Sequence, residues 1–292
     1  MTTGLDELDH LTLPVLRGLC DDAAIFPPGS LPLDRAVPAH LAHRAAAYSD
    51  LVGPLVVGMK GLPALAATTA GLPDASLDVA VTLPSPAHTT DALALVAAVP
   101  AARLVALEVA VPDCLHTAAV VPMLAEALTE HPDLTIHVEV PRGERRDELF
   151  AELAGSPYLA KLRTGGVRAD LYPSEGELAG AIAAAVLHGV PFKATAGLHH
   201  AVRNTDPTTG FEQHGFLNLV AATDAALRGS GVDRIAAVLA LRDGAELATL
   251  VRAAGPRTRE VFRSFGTCSI TEPVAELAGL GLLGDELLGE AP

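Results

Sequence analysis

Short apolar runs alternate with longer Ala-rich stretches along most of the chain, and this alternation limits the fold more than any other feature. The runs are nearly all apolar, which is typical of parallel strands that are covered on both faces. Eight such runs are predicted as strands: Ala23–Pro27, Leu51–Gly58, Leu77–Leu83, Leu104–Val111, Leu134–Val140, Tyr158–Arg163, Pro191–Ala196 and Val261–Ile270.

The stretches between these strands have helical patterns. The clearest are Thr89–Val99, Thr117–His131, Arg145–Ala154 and Ser174–His188. Ser174 is predicted as the N-cap of the last helix, with Glu177 three residues later and Gly189 after the final turn. This combination is a capping box followed by a glycine stop, and it predicts both ends of that helix.

Eight strands separated mainly by helices predict the α/β class and, within it, a single (β/α)8 TIM barrel. A helical insert is predicted between the seventh and eighth strands, at about residues 203–260. Within it, Ile235–Val251 reads as a helix, although Ile235–Leu241 could also begin as a strand. A doubly wound sheet is the main alternative. No linker rich in Gly, Ser or Pro divides the chain, so residues 1–292 are predicted to form one domain.

The composition favours a folded protein that does not bind nucleic acid. Hydrophobic residues make up 50% of the 292 residues, which supplies a large core. The net charge of −15 disfavours contact with a phosphate backbone, and 3% aromatic residues leave little for base stacking. Three widely spaced cysteines disfavour a disulfide framework. No apolar run is long enough for a membrane span. We therefore expect a cytoplasmic protein without nucleic-acid or membrane partners.

Lysine is rare in this chain, and its positions are informative. The 20 basic residues comprise 17 Arg and only three Lys, at positions 60, 161 and 193. Arginine stays protonated, whereas a buried lysine can lose its proton and act as a nucleophile. All three lysines are predicted at or near the C-terminal ends of strands, where barrel enzymes carry their catalytic groups. Lys60 is as readily explained as a solvated turn residue.

Charged side chains also lie near the C-terminal ends of the predicted strands, and some of them are spaced two residues apart. Lys161 and Arg163 are two residues apart and therefore face the same side of their strand. Glu108 stands alone in an apolar strand, where an ionised carboxylate needs a cationic partner. Glu139 closes another predicted strand. Lys161 or Lys193 could supply the partner, and a structural ion pair is the simpler interpretation of the two glutamates.

Two short motifs carry a resemblance to a known family. The run 161–166 reads Lys-Leu-Arg-Thr-Gly-Gly, and the run 192–197 reads Phe-Lys-Ala-Thr-Ala-Gly. They resemble the sixth and seventh strands of deoxyribose-phosphate aldolase and related class I aldolases. In that family the first motif carries a Schiff-base lysine, and the second carries a lysine that lowers the pKa of the first. The family's last strand helps to hold phosphate, and the run that begins Phe265-Gly266 is similar to it.

The resemblance implies a role for each charged residue. Lys161 would condense with a substrate carbonyl, and Lys193 would lower the pKa of Lys161 by like-charge repulsion. Glu108 or Glu139 would move protons. Arg163 departs from the family, which has a small hydroxyl residue there, so a different substrate or a different reaction is expected.

The substrate is expected to be a small anionic carbonyl compound, and no cofactor or bound metal is predicted. Its anionic group would be held by side chains and backbone at the ends of the last three strands. The predicted binding residues are Arg163, Thr164, Gly165, Gly166, His199, His200, Arg203, His214 and Gly266. The segment from Gln213 to Asn218 is predicted to cover the site as a lid. A homodimer is left open as an assembly.

Two other functions remain open at this point. A divalent-metal hydrolase or lyase could use His137, Glu139, His199 and His200 as ligands. A non-catalytic barrel could bind a metabolite, and it would tolerate Arg in place of either strand-end lysine. The acids Asp21 and Asp22 precede a rigid turn and are interpreted as hydrogen-bonding groups of a helix end or loop.

Overall fold

The computed structural model describes residues 13–284 and Leu287. Eight parallel strands close into a barrel in which each strand pairs with its neighbours in chain order, and the last pairs with the first. This architecture confirms the predicted (β/α)8 barrel. The barrel strands are β1 Cys20–Asp22, β2 Val52–Gly58, β3 Leu77–Leu83, β4 Ala102–Val109, β5 Thr135–Glu139, β6 Leu159–Arg163, β7 Phe192–Thr195 and β10 Phe262–Thr267. The short strands β8 Asn204–Thr205 and β9 Glu212–Gln213 form a separate antiparallel pair.

Helices follow the strands and cover the outside of the barrel. They are α1 Leu33–Ala45, α2 Leu62–Thr68, α3 Thr89–Ala97, α4 Thr117–Ala127, α5 Arg145–Leu153, α6 Glu175–His188, α7 Phe216–Leu227, α8 Val232–Leu239, α9 Gly244–Arg252, α10 Arg257–Val261 and α11 Thr271–Gly279. Within the described ranges, none of them combines the length and the apolar character that crossing a bilayer requires.

The first barrel strand lies earlier than predicted. The prediction placed it at Ala23–Pro27, whereas β1 ends at Asp22 and the following residues turn, with Phe26 N–H donating to Ala23 O. Two adjacent acids disfavour a strand when the sequence is read alone. They are tolerated here because the buried carboxylate of Asp21 has two partners, the Lys193 ammonium and the Ser264 hydroxyl.

Helix α6 begins and ends where its capping signals predict. The Ser174 hydroxyl accepts the N–H of Glu177 at 3.3 Å, and the Glu177 carboxylate accepts the N–H of Ser174 at 2.8 Å. Gly189 follows the last turn with φ +66°, in the left-handed region that a residue without Cβ adopts at little cost. These caps fix the length of the connection between β6 and β7.

The insert before β10 consists of the β8–β9 pair and helices α7 to α10. Helix α7 packs on the barrel through Phe216, which stacks on Phe265 with ring centroids 4.7 Å apart. The region 235–241 is helical rather than extended at its start, and α8 and α9 are separate helices. The Asp243 side chain accepts N–H groups of Ala245 and Glu246 and so starts α9.

The barrel interior has one small apolar side. Val56, Ala80 and Ala106, on three consecutive strands, form a buried cluster against which Ala23 and Phe26 pack. Because these side chains are small, they leave space inside the barrel on the β2–β4 side. The charged groups described next lie on β1 and on β4 to β7.

Candidate active site

A cavity of about 530 Å³ opens among the loops that follow the C-terminal ends of the barrel strands. Its apolar lining includes Phe26 and Val56 on the β1–β2 side, Leu83 at the end of β3, and Val167 and Leu171 in the loop after β6. The rest of the lining includes polar side chains and two glycines: Lys60, Glu108, Glu139, Lys161, Arg163, Gly166, His199, Gly266 and Cys268. This is the end of the barrel at which the sequence predicts the catalytic groups.

Glu108 lies at the centre of a buried charge cluster. Its Oε2 is 2.9 Å from Lys161 Nζ, and its Oε1 accepts a short hydrogen bond from Lys193 Nζ. Lys193 Nζ also donates to Asp21 Oδ2 at 2.5 Å. The side chains of Glu108 and Lys193 are each 2% exposed. The glutamate therefore has a cation on each carboxylate oxygen.

The cluster continues toward the cavity through Glu139. Its Oε2 is 3.2 Å from Lys161 Nζ, and its Oε1 accepts Nε–H of Arg163 at 3.0 Å. The backbone explains this order, because Glu139 and Lys161 are Cα partners in the β5–β6 pair and Arg163 follows two residues later. Acid and base thus alternate from Asp21 to Arg163.

The pKa shifts indicate which groups stay charged. Burial alone raises the pKa of Glu108, but Lys161 and Lys193 outweigh burial and hold it well below its usual range. Burial also tends to raise the pKa of Glu139, but Lys161 and Arg163 outweigh burial and lower it. Burial tends to lower the pKa of Lys193, yet Asp21 and Glu108 raise it above its ordinary value. Both glutamates are carboxylates and Lys193 is an ammonium ion near pH 7.

Lys193 occupies a different place from the one that the resemblance implies. It is 1% exposed and lies behind Glu108, and the cavity is not lined by it. The Cα atoms of Lys161 and Lys193 are partners in the β6–β7 pair, but the Glu108 carboxylate bridges their amines. The expected direct repulsion between two lysines is therefore replaced by a shared anion.

The loop after β6 is fastened to the end of β7. The Thr164 hydroxyl donates to Ala196 O at 2.7 Å, and Thr164 is fully buried. Gly165 packs so closely that a Cβ there would lie 2.9 Å from Gly197 Cα. Thr164 and Gly165 thus hold two loops together beneath the cavity lining, whereas Gly166 is part of that lining.

Five predicted binding residues lie outside the cavity lining: Thr164 and Gly165, described above, and His200, Arg203 and His214, which have other partners. His200 Nδ1 is 2.6 Å from Glu276 Oε1. Arg203 is paired with Glu175 at 2.7 Å and with Glu212, at an Nη2–Oε2 distance of 3.1 Å. Each of these interactions fastens the loop after β7 to a neighbouring element.

His214 and the predicted lid are structural. His214 is 1% exposed, and its Nε2 is 2.8 Å from Pro173 O. Asn218 is fully buried and bridges the loop after β7 to the end of α8, accepting Arg203 N–H and donating to Val238 O. The residues from Gln213 to Asn218 are all buried and none of them lines the cavity, so the expectation that this segment covers the site is wrong.

His199, Gly266 and Cys268 line the cavity on the β10 side. His199 Nδ1 is 3.2 Å from Cys268 Sγ. Burial lowers the pKa of His199 and raises the pKa of the Cys268 thiol, so both are neutral near pH 7. This side of the cavity is therefore polar and uncharged.

Asp21 is a member of the site that was not predicted from the sequence. Asp21 is 4% exposed, and burial raises its pKa although Lys193 counters the rise. Asp22 did take the expected role, since it accepts Ala24 N–H at 3.1 Å, and it also lies 3.0 Å from His40 Nδ1. Adjacent strand residues point to opposite faces, and this parity could have separated the two acids.

The four proposed metal ligands are dispersed. His137 lies in the barrel interior and Glu139 is held by two cations, while His199 and His200 have the partners given above. Among residues 13–284 and Leu287, no three His, Cys, Asp or Glu side chains are grouped so that they could hold a metal ion.

Solved structures of other proteins share the fold of this chain. This chain folds as a TIM barrel. One similar crystal structure, of a protein assigned as a 2,5-diketo-D-gluconic acid reductase B, has 10% identity and a TM-score of 0.50, covering 98% of this chain and 92% of that one. An aldo/keto reductase from Klebsiella pneumoniae in complex with NADP and acetate has 13% identity and a TM-score of 0.45, over 93% and 89% of the two chains. No protein-family model matches the sequence, and neither does any curated protein.

Proposed function

We propose that this protein is a lyase of the aldolase type that forms a Schiff base between Lys161 and a small anionic carbonyl compound. The observation that carries the proposal is the position of Lys161. Its amine lines a cavity at the catalytic end of a barrel and lies between two carboxylates, at 2.9 Å and 3.2 Å. Lys161 is only 6% exposed, and its amine has a proton acceptor on either side.

Glu139 is the better proton acceptor of the two carboxylates. Both carboxylates line the cavity and each is bound by two cations, but the Glu108 side chain is 2% exposed, whereas the Glu139 side chain is 19% exposed and lies beside Arg163. In the proposed reaction the Lys161 proton passes to Glu139, and the free amine adds to the carbonyl carbon. Water leaves as the imine forms. The protonated imine then accepts the electron pair of the C–C bond one carbon removed from the imine carbon. As that bond breaks, the hydroxyl of the departing fragment gives up its proton to a carboxylate and becomes a carbonyl, and the other fragment stays on Lys161 as an enamine.

Lys193 acts in this proposal as a positioning residue. Its ammonium group holds Glu108 and Asp21 in the barrel interior and does not reach the cavity lining. Because the Glu108 carboxylate bonds to both amines, Lys193 fixes where that carboxylate lies beside Lys161.

Reductive trapping tests the proposal. The full-length protein would be incubated with small ketones and aldehydes in the presence of borohydride, and any adduct would be located by intact-mass and peptide mass spectrometry. We expect one reduced adduct, on Lys161. Lys161→Arg should abolish it, because guanidinium has no free nucleophilic nitrogen at neutral pH.

Lys60 provides the matched control, because it lines the same cavity but is exposed. Lys60→Arg should leave the adduct on Lys161. An adduct on Lys60 alone would refute the assignment of Lys161. The complete absence of trapping would refute Schiff-base chemistry and favour a non-catalytic barrel.

A further inference from the structure

The cavity carries one unbalanced positive charge, although the whole chain has a net charge of −15. Among the described lining residues, three cations face two carboxylates: Lys60, Lys161 and Arg163 against Glu108 and Glu139. Directly behind them, Lys193 and Asp21 neutralise each other. A site with this charge matches a monoanion better than a dianion.

Arg163 offers the unused hydrogen-bond donors of the cavity. Its side chain is 37% exposed, and Nε is taken by Glu139 at 3.0 Å. In the described part of the chain, Glu139 is its one partner, so the two terminal nitrogens remain for a ligand. Two parallel N–H groups of a guanidinium match the two oxygens of a carboxylate.

The same glutamate fixes how far Arg163 lies from the nucleophile. Lys161 Nζ and Arg163 Nε bond to the two oxygens of Glu139, so they are separated by two hydrogen bonds and the width of one carboxylate. A ligand carboxylate bound to Arg163 would therefore lie only a few bond lengths away from the Lys161 amine in space. A carbonyl carbon joined directly to that carboxylate fits this short span.

We propose that the substrate is a 2-oxo acid, whose carboxylate binds Arg163 and whose adjacent carbonyl carbon forms the imine with Lys161. This inference rests on the proposed Schiff-base function and narrows its substrate class. It also explains why an arginine stands two residues after the lysine, where the aldolases that the motif resembles have a small hydroxyl residue.

A phosphorylated substrate fits the cavity less well. The β10 side, where those aldolases hold phosphate, is lined here by Gly266, Cys268 and His199, which carry no charge near pH 7. A phosphate dianion there would have no cationic side chain beside it among these residues, whereas a carboxylate at Arg163 would.

Binding of the carboxylate would also promote loss of the Lys161 proton. Arg163 is one of the two cations that keep the pKa of Glu139 low. When a ligand carboxylate shares the guanidinium, Glu139 regains proton affinity and accepts the proton from Lys161, 3.2 Å away. The Nζ–C2 bond then forms, the carbonyl oxygen leaves as water, and the substrate has prepared its own nucleophile.

Competing probes test the substrate class. Pyruvate carries a carboxylate next to its ketone, levulinate carries one further away, acetone carries none, and dihydroxyacetone phosphate carries a phosphate. Trapping by borohydride would be measured against the concentration of each probe in the wild type, Arg163→Leu and Arg163→Lys. Arg168→Leu is the control, because it removes an exposed guanidinium that is paired with Asp170 in the loop after β6.

We expect pyruvate to reach half-maximal trapping at the lowest concentration. In Arg163→Leu the preference for pyruvate over acetone should fall about 10- to 100-fold, the scale of a lost bidentate charged hydrogen bond. The ratio of pyruvate to acetone trapping is used because a general effect of the substitution on the Lys161 amine would change both probes equally. Arg163→Lys should give a smaller fall, and Arg168→Leu should keep the wild-type ratio.

The outcomes separate this inference from the proposed function. If Lys161 is trapped but levulinate, acetone or dihydroxyacetone phosphate is preferred, the 2-oxo acid is overturned and the Schiff-base function stands. The same holds if Arg163→Leu leaves the ratio unchanged. If none of the probes modifies Lys161, both are overturned.

Discussion

Lys161 and Lys193 bind opposite oxygens of one carboxylate, that of Glu108. The two amines are therefore coupled through an anion, with Asp21 at the inner end and Glu139 at the cavity. In a buried chain of alternating charges, removal of one member leaves its neighbours without full compensation, and the cost is large because water cannot replace the lost partner.

The inner pair should therefore dominate the stability of this end of the barrel. We expect Asp21→Asn and Lys193→Met each to lower the free energy of unfolding by about 3–5 kcal/mol, because each leaves an opposite charge buried. The double variant should lose clearly less than the sum of the two single losses. Urea unfolding of all four proteins measures this coupling. Asp170→Asn, in an exposed ion pair, is the control and should unfold with the wild type. Strict additivity of the inner pair would contradict the buried contact.

His137 should make the protein less stable as the pH falls. Burial, followed by the charge of Lys193, lowers its pKa to about 3, and its Nδ1 has no partner among the described residues. Below its ordinary pKa near 6.5 the unfolded chain binds a proton that the folded protein does not, so stability is lost from about pH 6.5 down to about pH 3. His137→Leu should remove this loss. Between pH 7 and pH 5 the free energy of unfolding of the variant should therefore rise by about 2 kcal/mol relative to that of the wild type, as measured by urea unfolding. Parallel pH curves for the two proteins would contradict it.

The fold was predictable because its signals are local and repeated. The apolar runs gave seven of the barrel strands to within a few residues, and the capping box marked α6. β1 was missed because Asp21 and Asp22 look like loop residues until the partner of the first is known. That partner, Lys193, lies far away in sequence, and sequence periodicity carries no information on it.

The site was predictable at the level of strands but not of contacts. Parity brought Lys161, Arg163 and Glu139 to one face, and the structure joins them in one cluster. Parity could not show that Glu108 fills the space between two lysines. Nor could it separate the polar loop residues that face the cavity from those, such as His214, that fasten the insert.

The charge cluster should also set the pH dependence of imine trapping. Lys193→Met leaves the full negative charge of Glu108 to Lys161, so trapping should move to higher pH by about one pH unit. In Asp21→Asn, Glu108 is the one carboxylate that still pairs with Lys193, so less of its charge acts on Lys161. Trapping should then move to lower pH. The measurement is the rate of reductive trapping between pH 6 and pH 10 in the three proteins. Shifts in the same direction would show that the two variants act through general destabilisation instead.

The close approach of Gly165 to Gly197 should be required for imine formation. A Cβ on Gly165 would lie 2.5 Å from Tyr172 Cε1 and 2.9 Å from Gly197 Cα, and Gly197 itself has φ +72°. Gly165→Ala should push the loop after β6 away from β7 and displace Arg163, so trapping should fall at least about tenfold, as expected for a misplaced catalytic group. Gly176→Ala is the matched control, because an added Cβ there meets no atom within 4 Å.

A second substitution separates the two contacts at Gly165. The Tyr172 ring can turn away, whereas the backbone of Gly197 belongs to the loop directly after β7, which the Thr164 hydroxyl holds through Ala196 O. Adding Tyr172→Ala to Gly165→Ala should therefore leave trapping impaired, because the clash with the Gly197 backbone persists. Full recovery in this double variant would show that the ring alone needs the glycine. In that case the backbone approach would not be what holds the loop of Arg163 in place.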